Sequence, residues 1–126
     1  MKDAFLKLLV KSERSIKTAE SLLESDDIEF VAGRAYYAMF YIVEALLNEK
    51  DLLYRKHSGV HSAFGKHFVK TGEFDQKFHR WLLEAFNKRL MSDYSFEANI
   101  TKQEAEEMIE RSKEFLQQAR QYRLKS

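Results

Sequence analysis

The side chains that could carry out chemistry lie mainly between residues 54 and 94, and they include all four histidines of the chain. His57 and His61 are four residues apart, a spacing that can place two imidazoles on one face of a helix as in many zinc sites. Gly59 separates them, however, and neither an H-E-x-x-H glutamate nor an obvious third ligand accompanies them. We therefore expect no metal site, interpret His57 and His61 as polar residues of a loop or helix start, and expect His79 at the surface.

Several other classes of active site are excluded by residues that the chain lacks. It has no cysteine, which rules out disulfides, thiolate zinc sites and cysteine nucleophiles. It has no G-x-S-x-G motif, and its four glycines are too sparse for a phosphate-binding loop or a dinucleotide fingerprint. We expect no bound cofactor.

A second candidate cluster combines Arg89, Asp93 and Tyr94 with Arg34 and Tyr37. Arg89 and Asp93 are four residues apart, as in an ion pair along one helix. An acid in the last turn of a helix opposes the helix dipole, so helix stability does not explain Asp93. We expect Asp93 to accept a hydrogen bond from Arg34 or Tyr37 on another helix, beside Tyr94. Such a polar spot either locks the bundle or holds a nucleotide by stacking and charge.

Basic residues are concentrated between residues 54 and 89, interleaved with aromatic ones. The chain as a whole carries a net charge of only +1, so it has no global field that attracts nucleic acid. Any phosphate-binding surface must therefore be local. Solvated helix faces are the alternative explanation for these charges.

The elements that position these side chains are predicted to be helices only. The chain has no proline and 44% hydrophobic residues, and apolar positions recur every three to four residues. Asp75 is expected to cap a helix, and Thr101 with Glu104 forms a T-x-x-E capping box. We predict a single domain, residues 1–126, with four long antiparallel helices and a short one at about 3–24, 27–50, 58–70, 75–94 and 101–124.

The second predicted helix contains the stretch GRAYYAMFY, residues 33–41, and is apolar over most of its circumference. It must be covered on most sides, either by its own bundle or by a second subunit. The N-terminal apolar run is too short and interrupted for a signal peptide or a membrane span. We expect a soluble, cytoplasmic protein with no membrane partner.

Four blocks together resemble the HEPN domain family, specifically its small stand-alone branch: AGRAYYAMFYIVEALL (32–47), KHSGVHSAFGKHFVKTG (56–72), RLMSDY (89–94) and the capped final helix. The resemblance implies an up-down bundle of four long helices plus a short one, and pairing into homodimers. It also implies nucleotide binding and a minimal nucleotidyltransferase as partner in a toxin–antitoxin-like module. Many members are metal-independent ribonucleases with an R-x(4–6)-H motif near the fourth helix.

This chain departs from that ribonuclease motif. On NKRLMSDY (87–94), the arginine position holds Asn87 and the histidine position holds Ser92, so that Tyr94 alone matches. Arg55 and His61 match the spacing formally but lie in the wrong context, and we treat that match as chance.

The function predicted from the sequence is therefore a nucleotide- or RNA-associated partner of a nucleotidyltransferase. Two alternatives stay open: a divergent ribonuclease that uses Arg89 with Asp93 or His57, and a purely structural interaction module. The candidate binding residues are Arg34, Tyr37, His57, Arg89, Asp93 and Tyr94.

Overall fold

The computed structural model describes residues 3–97 and 100–125, and in these residues it contains helices and no strands. The α-helices are α1 Asp3–Glu24, α2 Val31–Glu49, α3 His57–Phe64, α4 Gln76–Tyr94 and α5 Lys102–Lys125. A 3-10 turn, Ile28–Phe30, precedes α2, and a π-helical turn, Gly65–Val69, follows α3. The predicted all-α bundle of four long helices and a short one is confirmed.

Local sequence signals set the ends of these helices. The Asp75 carboxylate accepts the Lys77 backbone N–H at 2.8 Å and caps α4, as predicted. Thr101 Oγ1 accepts the Glu104 N–H at 3.1 Å while Glu104 accepts the Thr101 N–H at 3.0 Å, so the capping box is present. Gly72 has φ +83°, a left-handed conformation that favours glycine and ends the preceding helical segment.

The short helix differs from the single helix expected over 58–70. It begins at His57, and beyond Phe64 it widens into the π turn, in which the Lys70 N–H donates to the Gly65 carbonyl at 2.9 Å. Phe64 and Phe68 lie on either side of the start of this turn, and both are fully buried with ring centroids 5.9 Å apart. The wider turn thus keeps two aromatic rings of one segment in the core.

The long helices run alternately up and down. Along the α1–α2, α1–α5 and α4–α5 contacts, residue numbers fall along one helix as they rise along the other, so these neighbours are antiparallel. Helices α2 and α5, which are both antiparallel to α1, run in the same direction. Glu13–Arg120 at 2.8 Å and Glu20–Lys113 at 2.7 Å join α1 to α5, and Lys77–Glu114 at 2.7 Å and Lys88–Glu104 at 2.6 Å join α4 to α5.

Helix α2 is the centre of the bundle. It packs against α1, α3, α4 and α5, and twelve of its 19 residues are buried. The segment Ile28–Glu49 is long and apolar enough to cross a membrane by composition, with a mean hydropathy of 1.3 over its most apolar window, but 67% of that window is buried inside the bundle. Packing against the other helices therefore accounts for its apolar character.

Buried serines let the neighbouring helices approach α2 closely. Ser12 Oγ donates to the Ala38 carbonyl at 2.8 Å and Ser15 Oγ to the Arg34 carbonyl at 2.7 Å, both from α1. Ser112 of α5 donates to the Ala35 carbonyl at 3.1 Å. These bonds satisfy hydroxyl groups that burial would otherwise leave without a partner.

Candidate functional site

One face of α2 stays half-exposed while the rest of the helix is buried. The residues of this α2 face share a spacing of three or four: Arg34, Tyr37, Tyr41, Glu44 and Asn48. Helices α3 and α4 bring His57 and Arg89 next to it. The α2 face is where the polar side chains of the central helix meet those of its neighbours.

Tyr37 lies between two guanidinium groups. The Arg34 guanidinium carbon is 5.3 Å from the centre of the Tyr37 ring, and that of Arg89 is 5.2 Å from it. The His57 ring meets the Tyr37 ring edge-on at 5.9 Å. We call these four residues, Arg34, Tyr37, His57 and Arg89, the Tyr37 surface.

The expected contact of Arg34 with Asp93 is not formed. Asp93 Oδ2 instead forms an ion pair with Arg89 Nε at 3.1 Å, one turn back along α4, and among the described residues no ion pair involves Arg34. The pair within one helix forms because Arg89 needs no tertiary placement to reach Asp93. The ion-pair partner of Asp93 is therefore Arg89 and not Arg34.

Tyr94 also differs from the expectation that it would join this polar spot. Its side chain is 84% exposed at the last residue of α4. It therefore shares a helix with Arg89 and Asp93 but does not pack into the Tyr37 surface.

A buried hydrogen-bonded network lies directly behind the Tyr37 surface. The Tyr36 hydroxyl is 2.6 Å from His57 Nδ1 and 2.8 Å from His61 Nε2. A phenol has one hydroxyl hydrogen, so Tyr36 donates to one imidazole and accepts an N–H from the other. The tautomers of the two histidines are consequently coupled through Tyr36.

Burial keeps every member of this network neutral. Desolvation raises the pKa of Tyr36 above its ordinary value. It also lowers the pKa of His57, with the nearby Arg89 acting in the same direction. For His61, burial together with His57 and His79 lowers the pKa to about 4. Near pH 7 both imidazoles are therefore uncharged, and each can act as a base or as a hydrogen-bond donor.

Aromatic packing fixes the orientation of the His57 ring. It stacks on Phe40 with centroids 4.4 Å apart and lies 5.9 Å from Phe86. His57 is also the first residue of α3, so its backbone position is set by the helix start. The imidazole is held by ring contacts on two sides and by the Tyr36 hydroxyl.

Two histidines lie deeper than the sequence suggested. His61 was interpreted as a loop or helix-start residue, but it belongs to α3 and is 5% exposed. His79, expected at the surface, is half-buried, and its Nε2 donates to the His61 carbonyl at 3.1 Å. Sequence reasoning missed Tyr36 and His61 because Tyr36 falls within an apolar stripe. A usable signal was that a buried tyrosine hydroxyl needs a partner, and two histidines four apart could supply it.

At the far end of the α2 face, Tyr41 and Glu44 meet α1. Lys11 Nζ lies 4.5 Å from the centre of the Tyr41 ring. Burial raises the pKa of Glu44, and the attraction of Lys11 opposes part of that rise. Cations therefore flank the tyrosines of this face from both α1 and α4.

No metal ion is suggested by the side chains around this site. In residues 3–97 and 100–125, no three histidine, aspartate or glutamate side chains are grouped so that they could hold a metal. The buried Oγ of Ser92 on α4 has no hydrogen-bond partner among the described residues. The chemistry available here is that of arginine, tyrosine and neutral imidazole.

Comparison with known proteins gives matches over nearly the whole chain. The HEPN domain family model matches residues 5–122. The chain is 40% identical to the protein named "Putative toxin MJ0142" of Methanocaldococcus jannaschii, over 92% of this chain and 79% of that protein. It is 32% identical to "UPF0332 protein glr0978" of Gloeobacter violaceus, over 91% of this chain and 92% of that protein. A second M. jannaschii relative, "Putative toxin MJ0605", is 33% identical over 86% of this chain and 81% of its own length.

Proposed function

Because this chain belongs to the HEPN domain family, we propose that it is the nucleotide- or RNA-binding component of a toxin–antitoxin-type pair. Two relatives that carry the word toxin in their names support the toxin side of this proposal. A minimal nucleotidyltransferase is its proposed partner, with both proteins in the cytoplasm. The resemblance of residues 32–47, 56–72 and 89–94 to the stand-alone branch of the family supports that partner.

The observation that carries the proposal is the pair of guanidinium groups around the Tyr37 ring. Asp93 offsets the charge of Arg89, whereas no carboxylate within ion-pair distance offsets that of Arg34 in the described residues. A half-buried guanidinium without a carboxylate partner is suited to bidentate binding of a phosphate group. Tyr41 and Tyr37 supply aromatic surface on which a base can stack.

Binding is favoured over standard HEPN-type cleavage by the residues on α4. Asn87 and Ser92 occupy the positions of the arginine and histidine of the ribonuclease motif. A serine hydroxyl is too weak a base to activate a ribose 2′-hydroxyl unaided. The site therefore keeps the charge and aromatic groups of a binding surface without the usual catalytic pair.

Replacing Arg34 tests this function. Arg34→Gln is expected to weaken binding of a fluorescein-labelled oligoribonucleotide about tenfold, the loss of roughly one charge-assisted phosphate contact. The melting temperature is expected to stay within about 2 °C because the half-exposed side chain has no ion pair to lose. Arg14→Gln, an exposed arginine of α1, is the matched control and keeps wild-type affinity.

Two outcomes of this experiment would contradict the proposal. The first is that the wild-type protein binds neither nucleotide nor RNA, which would mean that the Tyr37 surface is not a binding site for them. A large loss of melting temperature in Arg34→Gln, with unchanged RNA affinity, would make the polar cluster a structural lock instead.

Metal-independent RNA cleavage by Arg89 and His57 is a second candidate function, favoured by one observation. His57 is held neutral beside the Arg89 cation, and this combination supplies a base for the 2′-hydroxyl and a positive charge for the phosphorane. Labelled RNA incubated with a chelator is then cut by the wild type. His57→Gln and Arg89→Ala each abolish the cutting, and an uncut substrate in the wild-type reaction rejects this candidate.

A further inference from the structure

A basic groove lies between the α3 segment and the first half of α4. It encloses about 870 Å³. Its polar lining consists of His61, Ser62, Lys66, Lys70, Gln76 and His79, and within residues 3–97 and 100–125 no aspartate or glutamate lines it. We call this feature the α3–α4 groove.

The positive charge of this groove is not neutralised by neighbouring acids. Residues 52–83 contain six lysines and arginines against two aspartates and glutamates, whereas the rest of the chain contains fifteen against eighteen. Lys66 and Lys70 are exposed, and neither has an ion pair among the described residues. Local charge of this kind attracts phosphate even in a chain of nearly zero net charge.

Both acids of this region are already engaged elsewhere. Glu73 accepts hydrogen bonds from Lys50 at 2.6 Å, Thr71 at 2.7 Å and Tyr122 at 3.0 Å. Burial acts to raise the pKa of Glu73, but these three hydrogen bonds together outweigh burial, so the pKa is lowered. The other acid, Asp75, caps α4. Neither carboxylate is therefore free to pair with the groove lysines.

The wall of the groove is built from the same polar network that supports the Tyr37 surface. His79 donates to the His61 carbonyl, and the His61 side chain bonds the Tyr36 hydroxyl, which in turn bonds His57. A Cβ on Gly65 would lie 3.2 Å from His79 Nε2, so glycine here allows the His79 ring its close approach. The groove and the Tyr37 surface are consequently two sides of one connected unit.

We propose that the α3–α4 groove binds the sugar–phosphate backbone of a single RNA strand whose adjoining nucleotide occupies the Tyr37 surface. This inference rests on the proposed function and narrows its ligand from a mononucleotide to an RNA chain. Lysines on an open groove suit backbone phosphates, which recur along a strand and need no base-specific geometry. The cations of the two surfaces then contact different phosphates of one molecule.

The test uses oligoribonucleotides of two, six and twelve residues, with affinity measured by fluorescence anisotropy over a range of salt. The wild type is expected to bind the twelve-residue strand at least about tenfold more tightly than the dinucleotide, because added phosphates reach added cations. In the double variant Lys66→Ala/Lys70→Ala, affinity for the twelve-residue strand falls about tenfold and the salt slope falls by about 1.4. Its affinity for the dinucleotide does not change.

The matched control is Lys7→Ala/Lys102→Ala, which removes two exposed lysines outside the groove. It is expected to bind every strand within about twofold of the wild type, since its lysines contact no proposed phosphate. An equal loss in this control means that net charge alone governs binding, and the groove is then not a site. If Lys66→Ala/Lys70→Ala binds the twelve-residue strand as tightly as the wild type does, the proposal that the groove binds RNA is also wrong.

The same data separate this inference from the proposed function. If the wild type binds the dinucleotide and Arg34→Gln binds it about tenfold more weakly, the proposal for the Tyr37 surface is supported whatever the lysine variants show. If the wild type binds no strand of any length, both the proposed function and the proposed RNA binding by the groove are wrong.

Discussion

At the scale of single residues, the Tyr36 side chain of α2 contacts both α3 and α4. It reaches His57 and His61 on α3 from the buried side of α2, and the Arg89 guanidinium of α4 lies 5.9 Å from the centre of its ring. Its neighbour Tyr37 contacts the Tyr36 ring edge-on but is half-exposed, with the Arg34 guanidinium carbon 5.3 Å from its ring centre. Adjacent tyrosines thus have separate tasks, one in holding the bundle and the other in the proposed site.

The different surroundings of Tyr36 and Tyr37 predict that removing the hydroxyl group changes the free energy of unfolding by different amounts at the two positions. Tyr36→Phe is expected to lower the free energy of unfolding by about 2 kcal/mol because it leaves two imidazoles without their partner. Tyr37→Phe is expected to change it by less than about 0.5 kcal/mol, because the Tyr37 hydroxyl has no hydrogen bond in the described residues. Urea unfolding of both variants measures the difference, and equal values for the two variants would contradict it.

The neutral histidines predict a loss of stability on mild acidification. The pKa of His61 is lowered from 6.5 to about 4 in the folded state, so between these values the unfolded chain binds more protons. Stability is therefore complete above pH 6.5 and declines as the pH falls toward 4. Between pH 7.5 and pH 5 the free energy of unfolding is expected to drop by about 2 kcal/mol from His61, and the lowered pKa of His57 adds to it.

Variants assign this pH dependence to its source. His61→Gln is expected to flatten the decline between pH 7.5 and pH 5, as followed by urea unfolding. His67→Gln, which removes a histidine outside the Tyr36 network, is expected to keep it. A wild-type decline that survives in His61→Gln would show that other groups cause it.

The sequence predicted some members of the site and failed on their pairing. The four residues of the Tyr37 surface do lie together. The spacing of three puts Arg34 and Tyr37 on one side of α2, and the packing of α3 and α4 brings His57 and Arg89 to that side. The predicted partner of Asp93 was wrong because helix spacing alone cannot decide between Arg89 on the same helix and Arg34 on another. That choice depends on how α2 and α4 are packed.

At the scale of elements, α1 and α2 approach closely because small residues face each other along their contact. Ser12 is fully buried, and its hydroxyl donates to a backbone carbonyl of α2 instead of to water. Ser15 repeats this arrangement one turn later with the Arg34 carbonyl, just behind the Tyr37 surface. The position of Arg34 therefore depends on the spacing of these two helices.

Enlarging Ser12 tests that spacing. Ser12→Leu is expected to lower the free energy of unfolding by about 3 kcal/mol, since a close-packed helix contact has no space for the added atoms. Ser12→Ala is expected to cost only about 1 kcal/mol because it removes one hydrogen bond and little volume. Thermal or urea unfolding gives both values, and a Ser12→Leu variant as stable as Ser12→Ala would mean that the helices are not closely packed there.

Most helix boundaries could be predicted because the signals that set them are local. Asp75 and the Thr101–Glu104 pair act within three residues of the helix starts that they cap. The π turn at Gly65–Val69 could not be predicted, because its wider geometry accompanies the burial of Phe64 and Phe68 in the core. Packing against distant residues is not encoded in a window of neighbouring positions.

At the scale of the whole molecule, positive charge and exposed apolar side chains lie near the proposed site. The basic segment 52–83 supplies the α3–α4 groove, and the end of α4 exposes Met91 and Tyr94, with Phe96 just beyond it. Exposed apolar patches on soluble proteins mark interaction surfaces. We propose that this end of α4 is where a second copy of the chain pairs.

The proposed pairing predicts a change in mass when this patch is made polar. Light scattering of the wild type is expected to give twice the 15.0 kDa of one chain. Tyr94→Ser/Phe96→Ser is expected to give the mass of one chain, because two large exposed rings are removed from the interface. Leu53→Ser, at another exposed apolar residue, serves as the control and stays dimeric. A wild type with the mass of one chain would contradict the pairing.

The central claim is that RNA contacts the half-exposed side of α2 around Tyr37, and photochemical crosslinking tests it most directly. A twelve-residue strand containing 4-thiouridine would be irradiated with the protein, and the crosslinked peptides identified by mass spectrometry. Crosslinks are expected within residues 33–41 and 55–66, and Arg34→Gln should reduce them. Crosslinks confined to α5 or to the outer side of α1, unchanged by Arg34→Gln, would contradict the claim.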